Sequence, residues 1–394
     1  MRNGFANSFP SARMDIKKDV IVLGGGITGA LVAYQLCKAG IDTVVVDRRC
    51  VGMGSTCAST ALLQYEIDTP LYKLTEYVGL DHAQRSYQAC IDAIDTLEKI
   101  CKKEGIQADF QQRESLYYAS RRRDMEIIEK EFAARQQMGI ALQQLSPREV
   151  RALYGIKTSG ALLSAKAAQV DPYRLAHGLL KVSEAMGLMV VDNTDIARIR
   201  NIDNQIQLTT TEGYTITGNK IVYATGYEAL DMIEKPIAQL HSTYAIVSEP
   251  VEPSQLWRNT CLLWETAMPY LYIRTTPDNR ILVGGKDEPF YSPRRRDRLL
   301  PRKSTQLVKR FKQLFQEIPF YLDFAWCGTF AETKDGLPFI GTLPKYPNAY
   351  FALGFGGNGI TFSTVAAEII CDAIRGKTHR DAELFAFDRM STAL

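Results

Sequence analysis

The chain has 394 residues, 46% hydrophobic and 23% charged, with a formal net charge of +3. It is long enough for two or three domain-sized units around a large core. The balanced charge excludes a global basic field for nucleic acid, no apolar run approaches the ~20 residues of a membrane span, and the eight cysteines form no C-x-x-C pair and no cluster with the four histidines, which argues against a zinc site or a disulfide framework. A reducing, cytoplasmic setting is the default for such cysteine usage.

Residues 1–18 carry Arg2, Arg13, Lys17 and Lys18 without the apolar core of a secretory signal, and read as a short extension. Val20–Leu23 is a continuous apolar run, as in a strand buried on both faces. Ala30–Lys38 has helical composition and stops at Gly40, and Val44–Val46 is the second apolar strand. This βαβ unit implies a parallel sheet. Gln84–Lys103 and Asp124–Met138 show helical apolar spacing. Ser146-Pro147-Arg148-Glu149 is a capping-box start, and Asp171-Pro172 opens a helix to Met186.

Strands then dominate: Leu188–Val191, Gln205–Thr209, Tyr214–Thr217 and Lys220–Tyr223. Tyr270–Thr275 and Arg280–Gly284 flank the turn Pro277-Asp278-Asn279. The chain closes with a strand at Tyr350–Leu353, a glycine-rich loop and a helix from about Gly359 to Arg375. The basic runs Arg121–Arg123 and Arg294–Lys303 read as solvated faces or loops.

The loop after the first strand is Gly24-Gly25-Gly26-Ile27-Thr28-Gly29, a G-x-G-x-x-G. The pattern alone is weak, but here it follows a buried strand and opens a helix. Gly24 permits the tight turn, Gly26 lets backbone approach a pyrophosphate, and Gly29 lets helix and strand pack closely. The helix N-terminus offers N–H groups and a positive dipole end to an anion. Asp47 ends the second strand, close to the ~20-residue spacing of a ribose-binding acid, and disfavours a 2′-phosphate. Arg48 beside it is a further candidate. The choice between NAD and FAD stays open on this unit alone.

Four further stretches resemble the superfamily of FAD-dependent amine and amino-acid oxidoreductases that includes D-amino-acid oxidase, glycine oxidase and sarcosine oxidase. The resemblance runs from about Asp19 over nearly the whole chain. The first is Gly52–Ser59, whose Ser55 and Thr56 offer hydroxyls to the cofactor. The second is Gly160–Leu180, followed by Ile196 at the place of a residue that contacts adenine through its backbone. The third is Ile221–Gly226, where Ala224-Thr225-Gly226 matches a second dinucleotide motif. The fourth combines Gly328–Gly341 with Ala352–Thr361, where Gly354, Gly356, Gly357, Asn358, Gly359, Ile360 and Thr361 match the loop at the flavin's electron-rich N1/C2=O end. A dipole end there stabilises the anionic reduced flavin.

The resemblance implies an α/β fold: a Rossmann-type FAD-binding domain (16–80, 151–234 and 325–394) interleaved with an α+β substrate domain (81–150 and 235–324) carrying an antiparallel sheet. It implies FAD as cofactor, and no metal. Some sarcosine oxidases attach flavin through a cysteine at the place of Gly328; Cys327 is one residue off, so non-covalent FAD is expected. Ala61 and Gln64 stand where sarcosine oxidase has arginines, and Leu282 where it has its oxygen-activating lysine.

Tyr244, Trp264, Tyr272, Arg274 and Lys286 are the candidates for the substrate side. Tyr272 and Arg274 alternate on one strand and share a face. A cation beside a phenol suits a substrate carboxylate. The expected reaction is hydride transfer from a carbon bearing an amine to flavin, with oxygen or another acceptor taking the electrons. Oxidation of a 2-hydroxy acid on the same scaffold and flavin binding without turnover are the alternatives. Expected partners are small molecules, with no nucleic acid and no membrane span.

Overall fold

The computed structural model describes residues 7–389. β1 (Ile16–Leu23), α1 (Ile27–Lys38) and β2 (Thr43–Val46) form the βαβ unit. Val20, Ile21 and Val22 are buried, as expected of a central strand. The first sheet runs in the order Phe339–Thr342, Ala349–Leu353, Thr215–Tyr223, β1, β2, Met189–Val191. All these pairings are parallel except the one at Phe339–Thr342. β1 has a late strand on one side and β2 on the other, so strand order reverses beside the Gly24 loop. Ligands of open α/β sheets bind at such a point. The helix Gly359–Ile374 packs along α1, and Thr28 Oγ1 and Ser363 Oγ meet at 2.7 Å. That contact sets the two helix N-termini side by side.

The second sheet has nine strands. Eight follow the order Leu322–Thr333, Ala238–Pro250, Arg280–Glu288, Tyr272–Thr275, Leu262–Glu265, Gln111–Tyr118, Ala161–Gln169, Leu62–Gln64. It is antiparallel except where Leu262–Glu265 meets Gln111–Tyr118. Leu62–Gln64 and Ala161–Gln169, which the sequence reading puts with the first unit, pair here, as does Leu322–Thr333. The helix Pro293–Leu314 covers the back of this sheet. Its Leu307 and Phe311 pack with Tyr244, Ile246, Ile273 and Val283.

Arg294–Lys303 is the first half of that helix and gives it a solvated face. Arg294, Arg295, Arg298 and Arg302 are exposed. Lys303 is buried and donates to Glu288 Oε1 at 2.5 Å and to the Lys286 carbonyl at 2.9 Å. Pro301 lies inside the helix and masks its periodicity in sequence. Tyr214–Thr217 and Lys220–Tyr223 merge into one strand through Gly218, where a Cβ would sit 2.8 Å from Ile21.

The capping box is present: Ser146 Oγ accepts from Glu149 N, and Glu149 Oε2 accepts from Ser146 N at 2.8 Å. Part of the N-terminal extension packs down, with Phe9 buried and Ala12 N donating to Thr194 Oγ1. Residues 1–6 lie outside the described residues. No helix among the described residues is long and apolar enough to cross a membrane.

Candidate functional site

The turn after β1 is built for close backbone approach. Gly24 has φ +109°, and a Cβ there would lie 2.5 Å from the Ala224 carbonyl oxygen. The loop and the Ala224-Thr225-Gly226 motif are thus in contact, and Ala224 N donates to Leu23 O at 2.8 Å. No side chain caps α1 from Gly26. Thr56 Oγ1 accepts from Ile27 N at 2.9 Å, which places the Ser55–Ala58 turn against the helix end. Asp47 receives Gly25 N on Oδ2 (2.7 Å) and Arg49 N on Oδ1 (2.8 Å). Its carboxylate closes the loop from the side where a ribose is expected. Arg48 reaches Glu228 at 2.6 Å, and Ile196 opens the strand Ile196–Ile202. Two adjacent helix N-termini, a glycine turn and an acid fit a dinucleotide carrying FAD's pyrophosphate and ribose.

The C-terminal loop leads into the helix Gly359–Ile374, which meets α1 at Thr28. Asn358 precedes the helix Gly359–Ile374 and makes no cap bond to it. Its amide instead donates to the carbonyls of Gln64 (3.1 Å) and Glu66 (2.8 Å). Gly359, Ile360 and Thr361 form the first turn, which leaves their N–H groups outside the intrahelical ladder. Gly354 and Gly356 have φ of +73° and +56°. Gly357 N is already engaged: it donates to Asp68 Oδ2 at 2.6 Å. Asp68 Oδ1 accepts from Tyr270 OH at 2.7 Å. Asp68 therefore ties the cofactor loop to the second sheet.

The face of the second sheet turned toward the first unit carries the substrate candidates. Trp326 Nε1 donates to Ala58 O at 2.8 Å, and Arg274 Nε donates to Thr60 O. Tyr272 lies across Gly284, where a Cβ would be 2.2 Å from its ring. Trp264 pairs laterally with Tyr272 and stacks on Tyr117 at 3.8 Å. Tyr270 continues the row, 6.1 Å from Trp264 and 5.8 Å from Tyr272. Leu282 pairs with Arg274 on the same face. Burial pulls the Arg274 guanidinium down to about 10. Two of its donors are engaged by the Thr60 and Thr275 carbonyls.

Two sequence candidates are not brought to this face. Tyr244 is fully buried on the back of the sheet, among the residues under the helix Pro293–Leu314. Two residues nearer the start of its strand, Ser242 pairs with Glu288, while Tyr244 itself pairs with Gly285, so one extra residue bulges opposite Thr243. Lys286 is that residue, with φ +61°. It lines a cavity of about 350 Å3 with Asp287 and Glu288, and with Leu299, Arg302, Lys303 and Gln306 of the covering helix. The bulge shifts the alternation by one, so Asp287 takes the site face beside Thr243.

Sequence reading missed Asp68, Asp287, Glu332, His241 and Tyr270. Only Gly284-Gly285 hinted at the bulge, and nothing in Ile67-Asp68-Thr69 marks a site. Burial and the nearby Asp68 push Asp287 up to about 6. Burial, Asp68 and Asp287 push Glu332 up to about 7. Burial raises Asp68 as well, and pulls down the His241 imidazole, which faces Glu332 at 3.3 Å.

A profile of the family described as FAD dependent oxidoreductase matches residues 19–373. Gamma-glutamylputrescine oxidoreductase of Escherichia coli (strain K12) is 25% identical over 383 residues, covering 94% of this chain and 87% of that protein. Glycine oxidase of Geobacillus kaustophilus (strain HTA426) is 24% identical over 389 residues, covering 95% and 98%. The crystal structure of glycine oxidase from Geobacillus kaustophilus superposes with a TM-score of 0.76 at 19% identity, over 93% of this chain and 96% of that one. That superposition bears out the fold class.

Proposed function

We propose, for a chain that belongs to the FAD-dependent oxidoreductase family and uses FAD as its cofactor, that it oxidises the carbon–nitrogen bond of an amine or amino acid. Bound FAD would supply the acceptor for a hydride from the carbon bearing nitrogen. The observation that carries this reading is the meeting of Asp68, Asp287 and the phenols of Tyr270 and Tyr272 beside the loop before Gly359–Ile374.

The chain's own residues have three tasks. Gly24–Gly29, Asp47, Thr56, Ala224–Gly226 and the loop Gly354–Thr361 hold the cofactor. Tyr117, Trp264, Tyr270 and Tyr272 wall off water. Asp287 accepts the ammonium proton, because hydride leaves readily only from a carbon beside a neutral nitrogen. The imine formed takes up water and splits to an oxo compound and ammonia or an amine. Non-covalent attachment is supported by Cys327, which shares the back of the sheet with Tyr244 and whose Sγ donates to Asp297 at 3.3 Å.

Anaerobic bleaching of the flavin by a panel of amines, amino acids and 2-hydroxy acids tests the reaction. Bleaching by nitrogen compounds is expected. Bleaching by hydroxy acids alone, or by none of the panel, would sink the reading.

A pH profile follows from the raised carboxylates. Burial and Asp68 push Asp287 up to about 6, and burial, Asp68 and Asp287 push Glu332 up to about 7, so the limb belongs to the cluster. Only the ionised forms attract an ammonium and accept its proton. The rate constant for anaerobic reduction over substrate Kd is therefore expected to fall as pH drops through 7 toward 6. A flat profile between 5 and 8, roughly the range histidine and raised carboxylates cover, would count against Asp287 as the acceptor.

A further inference from the structure

The charge on the site face is the opposite of what a carboxylate-binding enzyme needs. Asp68 accepts from Tyr270 OH at 2.7 Å, Asp287 lies with Tyr272 and Thr243, and both carboxylates raise the nearby Glu332. Asp287 Oδ1 is buried and has no hydrogen-bond partner among the described residues. The cations nearby are engaged or turned away. Arg274 donates to two backbone carbonyls, Lys303 is bonded to Glu288, and Lys286 is the bulged residue of its strand, with φ +61°. His241 is held toward its neutral form by burial.

The aromatic row points independently to a cation. Tyr117, Trp264, Tyr270 and Tyr272 are linked ring to ring at 3.8, 6.1 and 5.8 Å. Aromatic faces attract ammonium groups and give a carboxylate no partner. A substrate carboxylate set between Asp68 and Asp287 meets like charge where little water screens it.

Resting on the C–N oxidation reading above, we infer that this site recognises its substrate by the ammonium group alone. Asp287 and Asp68 receive it against the Tyr270–Tyr272–Trp264 wall, and the substrate is an alkylamine without a carboxylate on the reacting carbon. The β-bulge at Lys286 is the device that sets this specificity, since it exchanges a lysine for an aspartate on the site face.

Two isosteric probes test this on the FAD-loaded protein. tert-Butylamine has no hydrogen on the carbon bearing nitrogen, so it binds without reacting; 2,2-dimethylpropanoate is its anionic counterpart. The amine is expected to perturb the flavin's visible absorbance saturably, and the carboxylate is not. Asp287→Asn is expected to weaken the amine by roughly 10-fold or more, with flavin content unchanged. Asp287→Glu is expected to retain most of the binding, which separates loss of charge from loss of fold.

Tighter binding of the carboxylate, or unchanged amine binding in Asp287→Asn, overturns the inference. Anaerobic bleaching with butan-1-amine, 2-aminobutanoate and 2-hydroxybutanoate separates the two levels. Bleaching by 2-aminobutanoate and not by the amine overturns the specificity and leaves C–N oxidation standing. Bleaching by 2-hydroxybutanoate alone overturns both.

Discussion

Replacing Arg135 with methionine is expected to destabilise the protein by about 3–5 kcal/mol, the cost of leaving buried carboxylates without their cation. Arg135 is 1% exposed and lies between two buried acids. Its Nε donates to Glu131 Oε1 at 2.6 Å, and its NH1 reaches Glu66 Oε1 and Tyr65 OH at 3.4 Å. Burial works against the guanidinium, but Glu131, Tyr65 and Glu66 more than offset it, so the cation persists. Burial raises the Glu66 carboxyl, and the Arg135 guanidinium pulls it back down. The rings of Tyr65, Tyr87 and Tyr117 surround the guanidinium at 5.5, 5.9 and 6.0 Å.

The same trio holds the site in place. Glu131 accepts from Leu71 N and Tyr72 N, capping the helix Leu71–Val78 from a distant part of the chain. The Glu66 carbonyl receives Asn358, and two residues later Asp68 holds Gly357 and Tyr270. Urea unfolding followed by tryptophan fluorescence and by flavin release measures both effects, and flavin is expected to leave Arg135→Met before the global transition. The triple variant Arg135→Met, Glu66→Gln, Glu131→Gln separates charge from packing. It is expected to recover part of the loss, because the uncompensated charge is then gone. A single variant with an unchanged urea midpoint would remove the trio from any account of stability.

What was legible in the sequence follows from the range over which each signal acts. The βαβ unit, the Ser146 and Asp171 caps and the C-terminal helix rest on neighbours within a few residues, and each of these elements forms. The helix Pro293–Leu314 was hidden because nine cations and Pro301 outweigh its sparse apolar stripe of Leu300, Leu307 and Phe311. Tyr272 and Arg274 were placed on one face by simple alternation along a regular strand. Lys286 leaves the site face because alternation fails at a bulge, and a bulge is a relation between two strands. Asp68 was invisible for a similar reason: its partners, Tyr270 and Gly357, lie 202 and 289 residues away.

Gly29→Ala is expected to yield a protein that does not retain FAD. A Cβ at Gly29 would stand 1.8 Å from the Gly24 carbonyl oxygen and 3.4 Å from Val22. No side-chain rotation relieves a backbone contact of that kind, so α1 must move off β1. Its N-terminus then leaves the position set by Thr56 and by the Thr28–Ser363 contact. The loss in FAD affinity is expected to be ~100-fold or more, equivalent to ~2.7 kcal/mol. The visible-to-ultraviolet absorbance ratio after desalting, with titration of the apoprotein, reports it. Gly40→Ala supplies the contrast. Gly40 has φ +75°, but a Cβ there meets nothing within 4 Å. That substitution is expected to cost ~1 kcal/mol of stability through left-handed strain and to leave FAD binding intact. If Gly29→Ala also kept its flavin, the close packing of α1 on the Gly24 turn would not be what positions the cofactor, and the weight of the site would shift to Asp47 and the loop Gly354–Thr361.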